Sequence, residues 1–365
     1  MHLKINQLMA NITTTLRELV AHLETIAPVA YQENYDNAGL IVGDFGAAIS
    51  GVLVCLDVTE AVVEEAIALG CNCIVAHHPI VFKGIKKFNG RNYVERVVMK
   101  AIRHDVAIFA MHTNLDNMYF QGVNAKIAEK LGLENTRILA PKAAALKKLS
   151  VYVPASYSEQ VRAALTAAGA GQMPAFEYGG FATLGVGVTL QGNQSTIKLE
   201  TFLPMPLERV VLAALKASHP TPDEITYELT TLENTDISIG SGMIGTLKNP
   251  MEEPKFLEYL KKTMQTDCVR HTELLGKSVK TVAVCGGAGS FLLPQAIAQG
   301  ADVFVTADFK YHEFFDAENK LIIADIGHFE SEQFTIELLI EIIRKKYTTF
   351  AVHFTKINTN PVKYF

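Results

Sequence analysis

Three short stretches of the chain carry side chains able to bind a divalent ion. IVAHHPIVFKG, residues 74–84, sets His77 beside His78 where an apolar run ends. HTNLD, residues 112–116, places His112 and Asp116 four apart, and GHFESEQF, residues 327–334, places His328 and Glu332 at the same spacing. Neighbours on an extended chain point to opposite sides, so His77 and His78 could reach different atoms of one site. Residues four apart on a helical turn face one way. Imidazole and carboxylate suit first-row divalent ions, and this pool exceeds one tetrahedral site. Two ions about 3.5–4 Å apart would use the surplus, and a water between them would be acidified into a nucleophile.

Taken singly, each signal has an ordinary structural reading. The two histidines could be one cap and one surface residue. HTNLD could be a capping loop, and Glu330 and Glu332 could complement a helix dipole. Asp36 and Asn37 in NYDNAGLIVGD read as turn builders. VCGGAGS, with Gly286 and Gly287, matches neither GxGxxG nor GxxxxGK[ST]. It reads as a tight strand-to-helix turn, or, beside a metal pair, as backbone N–H groups that favour an anion. His312, in FKYHEFF, is either catalytic or a surface residue, and Lys356 is a candidate substrate contact after the strand FAV.

Their placement draws these signals together. Five apolar runs end in polar or glycine residues: IVA before His77, IFAM before His112, VAV before Cys285, FVTA before Asp308, and IIADIG before His328. In open parallel sheets, ligands gather at the carboxyl ends of strands. Residues 51–140 alternate strand-like and helix-like runs in βαβαβ order, which implies a mainly parallel sheet. From about 146 the pattern becomes βαβ followed by βαβ, a ferredoxin-like order, and the parallel texture returns after about 250. The expected fold is α/β. A core domain of residues 1–145 and 250–365, with mainly parallel sheets, is interrupted by a small α+β ferredoxin-like domain over 146–249.

Composition sets the outer bounds. The 365 residues are 49% hydrophobic and 19% charged, enough for a sizeable core and against disorder. A net charge of -5 and a pI near 6.1 argue against a general nucleic-acid binder. Five cysteines without a CxxC read as small buried hydrophobes in a reducing compartment. The N-terminal 28 residues read as a lead-in and an amphipathic helix, not a signal peptide. No apolar run is long enough to span a membrane, so a cytoplasmic protein is expected.

YDNAGLIVGD, AHHPIVFKG, HTNLD, VCGGAGS, VTADFKYHEFFDA and DIGHFESEQF together resemble, in order, the motifs of the dinuclear-metal-centre family of GTP cyclohydrolase 1 type 2 homologues (Nif-three-like). The resemblance spans nearly the whole chain. It implies an α/β core of two similar halves with an inserted ferredoxin-like domain, assembled as a toroidal homohexamer. It places His77, His78, Asp116, His328 and Glu332 at metal-ligand positions, with Asp116 and Glu332 bridging and His112 supporting from behind. The implied cofactors are two divalent ions per chain: zinc, manganese, iron, cobalt or nickel. The implied chemistry is hydrolysis of a nucleotide or related phosphorylated small molecule. The alternative from the residues is a non-enzymatic metal-binding regulatory or scaffold protein whose inserted domain senses a ligand.

Overall fold

The computed structural model describes residues 14–143, 145–172, 179–189 and 192–365. The expected lead-in over residues 1–13 lies outside them, as does part of the Gly-rich stretch after residue 172. The chain forms a mixed α/β structure of two compact units, one of Met1–Ala140 with Ser238–Phe365 and one of Pro141–Ile237.

The first part of the large unit runs α1 (Leu16–Ile26), β1 (Gly39–Val42), β2 (Gly51–Cys55), α2 (Glu60–Ala68), β3 (Cys73–Ala76), α3 (Tyr93–Arg103), β4 (Ala107–Ala110), α4 (Thr113–Asp116), α5 (Val123–Lys130) and β5 (Leu133–Lys142). Helix starts are written in the sequence. Thr15 and Glu18 form a reciprocal capping box at α1, and the Thr59 and Asn92 side chains cap α2 and α3. The small unit runs β6 (Leu146–Pro154), α6 (Ser158–Ala167), β7 (Gly180–Thr189), β8 (Gly192–Pro204), α7 (Glu208–Ser218) and β9 (Tyr227–Thr231). Its sheet has the order β7-β8-β6-β9, antiparallel at each pairing. The chain then returns through β10 (Asp236–Glu252), α8 (Glu253–Thr263), β11 (Arg270–His271), β12 (Ser278–Ala288), α9 (Leu293–Ala298), β13 (Val303–Ala307), β14 (Ile322–Asp325), α10 (His328–Glu332), α11 (Thr335–Lys346) and β15 (Ala351–Phe354).

Two sheets build the large unit. One has the order β1-β4-β3-β2-β15, the other β11-β14-β13-β12-β10-β5. β15, β2, β3 and β4 are parallel neighbours, as are β12, β13 and β14, while β1, β10 and β11 pair antiparallel. Every residue of β2, β3, β4, β13 and β14 is buried. Such continuous apolar runs are what strands covered on both faces require. One face of each sheet meets a shared core, where Val54, Val75 and Phe109 of the first sheet join Val284, Val305 and Ile322 of the second. The outer faces have their own clusters, one under α2 and α3 and one under α9. The carboxyl ends of both parallel sets are therefore held by one packed body.

Candidate metal centre

The parallel ladder continues past the end of β3. The His77 amide donates to the Cys55 carbonyl at 3.2 Å, and that of His78 to Leu56 at 2.9 Å. The chain bends there and brings the two rings to 4.8 Å between centroids: the His77 side chain is fully buried, while His78 stays 15% exposed. Beyond β4, the Met111 amide donates to Ala76, and the chain turns into α4, which carries Asp116. Beyond β14, Gly327 adopts φ +92, and α10 begins at once. A Cβ on Gly327 would lie 2.3 Å from Glu330 Oε2, so glycine is required at this turn. The turn sets His328 and Glu332 on one face of α10.

These devices bring six side chains together. Glu332 Oε2 lies 3.0 Å from His78 Nε2 and 3.1 Å from His328 Nε2, while its Oε1 lies 3.6 Å from His77 Nε2. Asp116 Oδ1 lies 3.6 Å from the same His77 nitrogen. Three overlapping groups of donors have the spacing a metal ion needs: His77, His78 and His112; His78, His328 and Glu332; His77, Asp116 and Glu332. Two donors bound at about 2.0–2.1 Å to one tetrahedral ion lie about 3.3 Å apart, which the Glu332 distances bracket.

The atoms behind the rings complete the pattern. Each of the four histidines has its Nδ1 held: His77 by the Met111 carbonyl at 2.7 Å, His78 by Asp57 at 2.8 Å, His112 by Asp36 at 2.7 Å and His328 by Asp308 at 2.6 Å. An Nδ1–H so engaged leaves Nε2 as the free lone pair, which is how metal-ligating histidines are oriented. Two donors at the centre, His77 Nε2 and Asp116 Oδ1, are buried without a hydrogen-bond partner among the described residues. A buried polar atom without a partner is costly. A cation between them would satisfy both, so these residues fit a bound metal.

Electrostatics without a metal agrees. Burial disfavours charge on His77 and pushes its pKa down, against the pull of Glu332. Burial and the neighbouring Glu332 push Asp116 well above the usual carboxylate range. Glu332 goes the other way, because the surrounding histidines outweigh its burial. For His78 burial opposes the charge, but hydrogen bonds to Asp57 and Glu332 raise it to about 9. His328 rises to about 11 because Asp308 and Glu332 likewise overcome burial. Excess carboxylate charge is thus balanced by protons where a divalent cation would serve.

His77, His78, Asp116, His328 and Glu332 converge. His112 has the same disposition as the other three histidines, with its Nδ1 held from behind. Gly286 and Gly287 also reach the cluster, but not as a phosphate-cradling turn. Both lie within β12, and their amides already donate to Asn124 Oδ1 at 3.0 Å and Ser331 Oγ at 2.9 Å. Their use is close approach: a Cβ on Gly287 would lie 2.5 Å from Glu332 Oε1. His312 and Lys356 do not join. The exposed His312 ring packs on Tyr311, and the Lys356 backbone amide donates to Glu65. Sequence reasoning missed the roles of Asp36, Asp57 and Asp308. The available signal was that Asp57 and Asp308 follow strand ends, as the histidines do; in the structure Asp308 also holds φ +58, rare for a residue with a Cβ.

A cavity of about 1290 Å³ opens at the centre, with His78, His112 and His328 on its wall. Its rim includes the C-terminal arm, where Thr359 Oγ1 donates to Asp57 Oδ2 at 2.8 Å and Asn360 Nδ2 to Glu330 Oε1 at 2.9 Å.

Known proteins match the chain over almost its full length. A GTP cyclohydrolase 1 type 2 homolog of Bacillus subtilis is 35% identical over 94% of this chain and 97% of its own. One from Halalkalibacterium halodurans is 36% identical, with 93% and 95% covered. Among solved structures, a Bacillus cereus protein related to NIF3 aligns with a TM-score of 0.80 at 35% identity, covering 97% of this chain and 99% of that one. Staphylococcus aureus protein SA1388 aligns at 0.77 and 29% identity, with 98% and 100% covered. The model of the Duf34/NIF3 (NGG1p interacting factor 3) family matches residues 14–361, and with these relatives it establishes that the chain belongs to that family.

Proposed function

We propose that the chain holds two divalent ions and is a metal-dependent hydrolase acting on a nucleotide or related phosphorylated small molecule. The observation that carries this reading is the division of Glu332. One carboxylate oxygen faces His77, grouped with Asp116, and the other faces His78 and His328. A carboxylate split between two donor sets suits a bridged pair better than a single ion. His112 adds a further Nε2 on the side of His77 and His78. Ions held there would supply Lewis acidity and a water acidified enough to attack at neutral pH.

The chain's own residues do the rest. Asp57, Asp36 and Asp308 fix the imidazole tautomers. The cavity beside His78 and His328 gives a substrate access to the centre. The names of the curated relatives support a ring-opening hydrolysis of GTP as one candidate reaction. The βαββαβ order of the small unit and its strand order support a ferredoxin-like inserted domain. Family membership supports self-assembly, for which a homohexamer is the proposed state.

Metal content per chain, measured by plasma mass spectrometry on protein purified without chelator, tests the reading. About two ions per chain are expected, with a sharp fall in Glu332→Ala. Turnover of a nucleotide panel by the loaded protein would then identify the substrate. No metal, and none taken up from added divalent salts, would remove the hydrolase reading. Two ions with no turnover of any phosphorylated compound would favour a regulatory or scaffold protein.

A further inference from the structure

The charged groups that line the cavity beside the metal centre are unevenly partnered. Five carboxylates line it, and each is already engaged. Asp57 bonds His78 and Thr359, Asp308 bonds His328, and Glu330 bonds Asn360. Asp325 pairs with Arg270 and accepts from the Phe309 amide. Glu95 is buried, and its oxygens accept from the Asn89 and Arg91 amides at 3.0 and 3.2 Å and from Asn92 Nδ2 at 2.8 Å. Four cations on the same wall have no such partner. Lys83, Lys86, Lys87 and Arg91 all line the cavity, and none forms an ion pair among the described residues.

These four lie on one segment of nine residues, between Pro79 and α3. Exposed lysines are common and by themselves mean little. Here they are gathered on one segment that lines a concave space whose carboxylates already have partners. Glu95 ties the backbone of residues 89–92 to the first turn of α3, so the end of the segment is held in place before any ligand arrives. This fixes the backbone at Arg91, and a cation so placed costs less to order around an anion. Two partly exposed aromatic rings share the wall, Phe82, whose centroid is 5.4 Å from that of His112, and Tyr93.

We infer that Lys83, Lys86, Lys87 and Arg91 form a subsite for a chain of two or more phosphates, so that the ligand of this cavity is an organic di- or triphosphate whose far end reaches the metal centre. The inference rests on the hydrolase reading for the role of that far end, but the subsite itself does not depend on a metal. A single phosphate would meet too few of the cations to bind well. Screening by salt weakens the interaction, as it does for any exposed charge pair.

Calorimetric titration of the full chain with inorganic tripolyphosphate tests this, with orthophosphate and a short single-stranded thymidine oligonucleotide as comparisons. The quadruple variant Lys83→Gln/Lys86→Gln/Lys87→Gln/Arg91→Gln is measured beside the native chain, and both again with Glu332→Ala. A double variant, Lys86→Gln/Lys87→Gln, serves if the quadruple one melts early. Tripolyphosphate is expected to bind more tightly than orthophosphate and to lose about tenfold or more in affinity when the cations are removed, with or without Glu332. Equal affinity in native and variant chains would overturn the inference. So would a loss seen only when Glu332 is present, which would put the anion on the metal and leave the metal reading intact. Tighter binding of the oligonucleotide would reassign the segment to nucleic acid and overturn it as well. Binding retained in a chain that never holds metal would uphold the subsite while the metal reading falls.

Discussion

At the scale of single residues, the proposed metal centre sets protons against a cation. His78 Nε2 and His328 Nε2 lie 3.3 Å apart and point at the same oxygen of Glu332. Without metal, protons on these rings offset the carboxylate charge: Asp57 and Glu332 push His78 up to about 9, and Asp308 and Glu332 push His328 up to about 11. Both values lie above the unfolded histidine value of about 6.5. Their contribution to the stability of the metal-free protein is therefore complete below about pH 6.5 and fades as pH rises through 9 and then 11. Metal binding must expel the same protons, so it should tighten over the range where stability falls. Chelator competition at pH 6.5, 7.5 and 8.5 should show affinity rising by up to about tenfold per unit for each displaced proton. The melting temperature of metal-free protein should drop over the same range. Affinity independent of pH would mean that these rings are already neutral when the ion arrives.

At the scale of elements, the loops after the strands aim the candidate ligands, and glycine allows their close approach. Gly287 in β12 has φ +63, and a Cβ there would lie 2.5 Å from Glu332 Oε1 and 3.2 Å from His328 Cε1. Gly276 has φ +70 with nothing within 4 Å. Alanine at either position should cost about 1–3 kcal/mol in backbone strain. Only Gly287→Ala should also displace the ligands and lower metal content, while Gly276→Ala keeps it. Matching metal loss in both variants would mean that strain, not crowding, disturbs the site. This pair also marks where the sequence was legible. The buried runs CIVA and AIFA announce parallel strands, and the spacing of His328 and Glu332 announces one helical face. VCGGAGS does not distinguish a bulged strand from a phosphate turn, because both need glycine and the difference lies in what stands opposite. The aspartates behind the rings were hidden for a related reason. Asp57 is 21 residues from His78 and Asp36 is 76 from His112, so only the folded sheet pairs them.

At the scale of the whole molecule, every residue of the centre and its cavity belongs to the large unit, although its two segments are separated in the chain by Pro141–Ile237. The turns after β3 and β4, with α4, supply His77, His78, His112 and Asp116 from the first segment, and α10 after β14 supplies His328 and Glu332 from the second. A shared core joins them: Val54, Val75 and Phe109 are packed in the same cluster as Val284, Val305 and Ile322. The chain leaves near the end of β5 and re-enters at the start of β10, and these strands are neighbours in one sheet. A short connection between them would therefore keep the ladder that joins the segments, since loop closure between adjacent strands is entropically cheap. The small unit has its own core, with Leu149, Val151, Val161, Leu203, Val211 and Leu215 buried together. Its removal thus takes away a self-contained cluster. Replacing residues 141–237 with a Gly-Ser linker should leave a folded chain that binds metal with the native stoichiometry and responds to Glu332→Ala as the full chain does. Calorimetry and metal analysis on the shortened chain would check this. Loss of metal with the fold retained would make the small unit part of the centre, although none of the candidate ligands among the described residues comes from it.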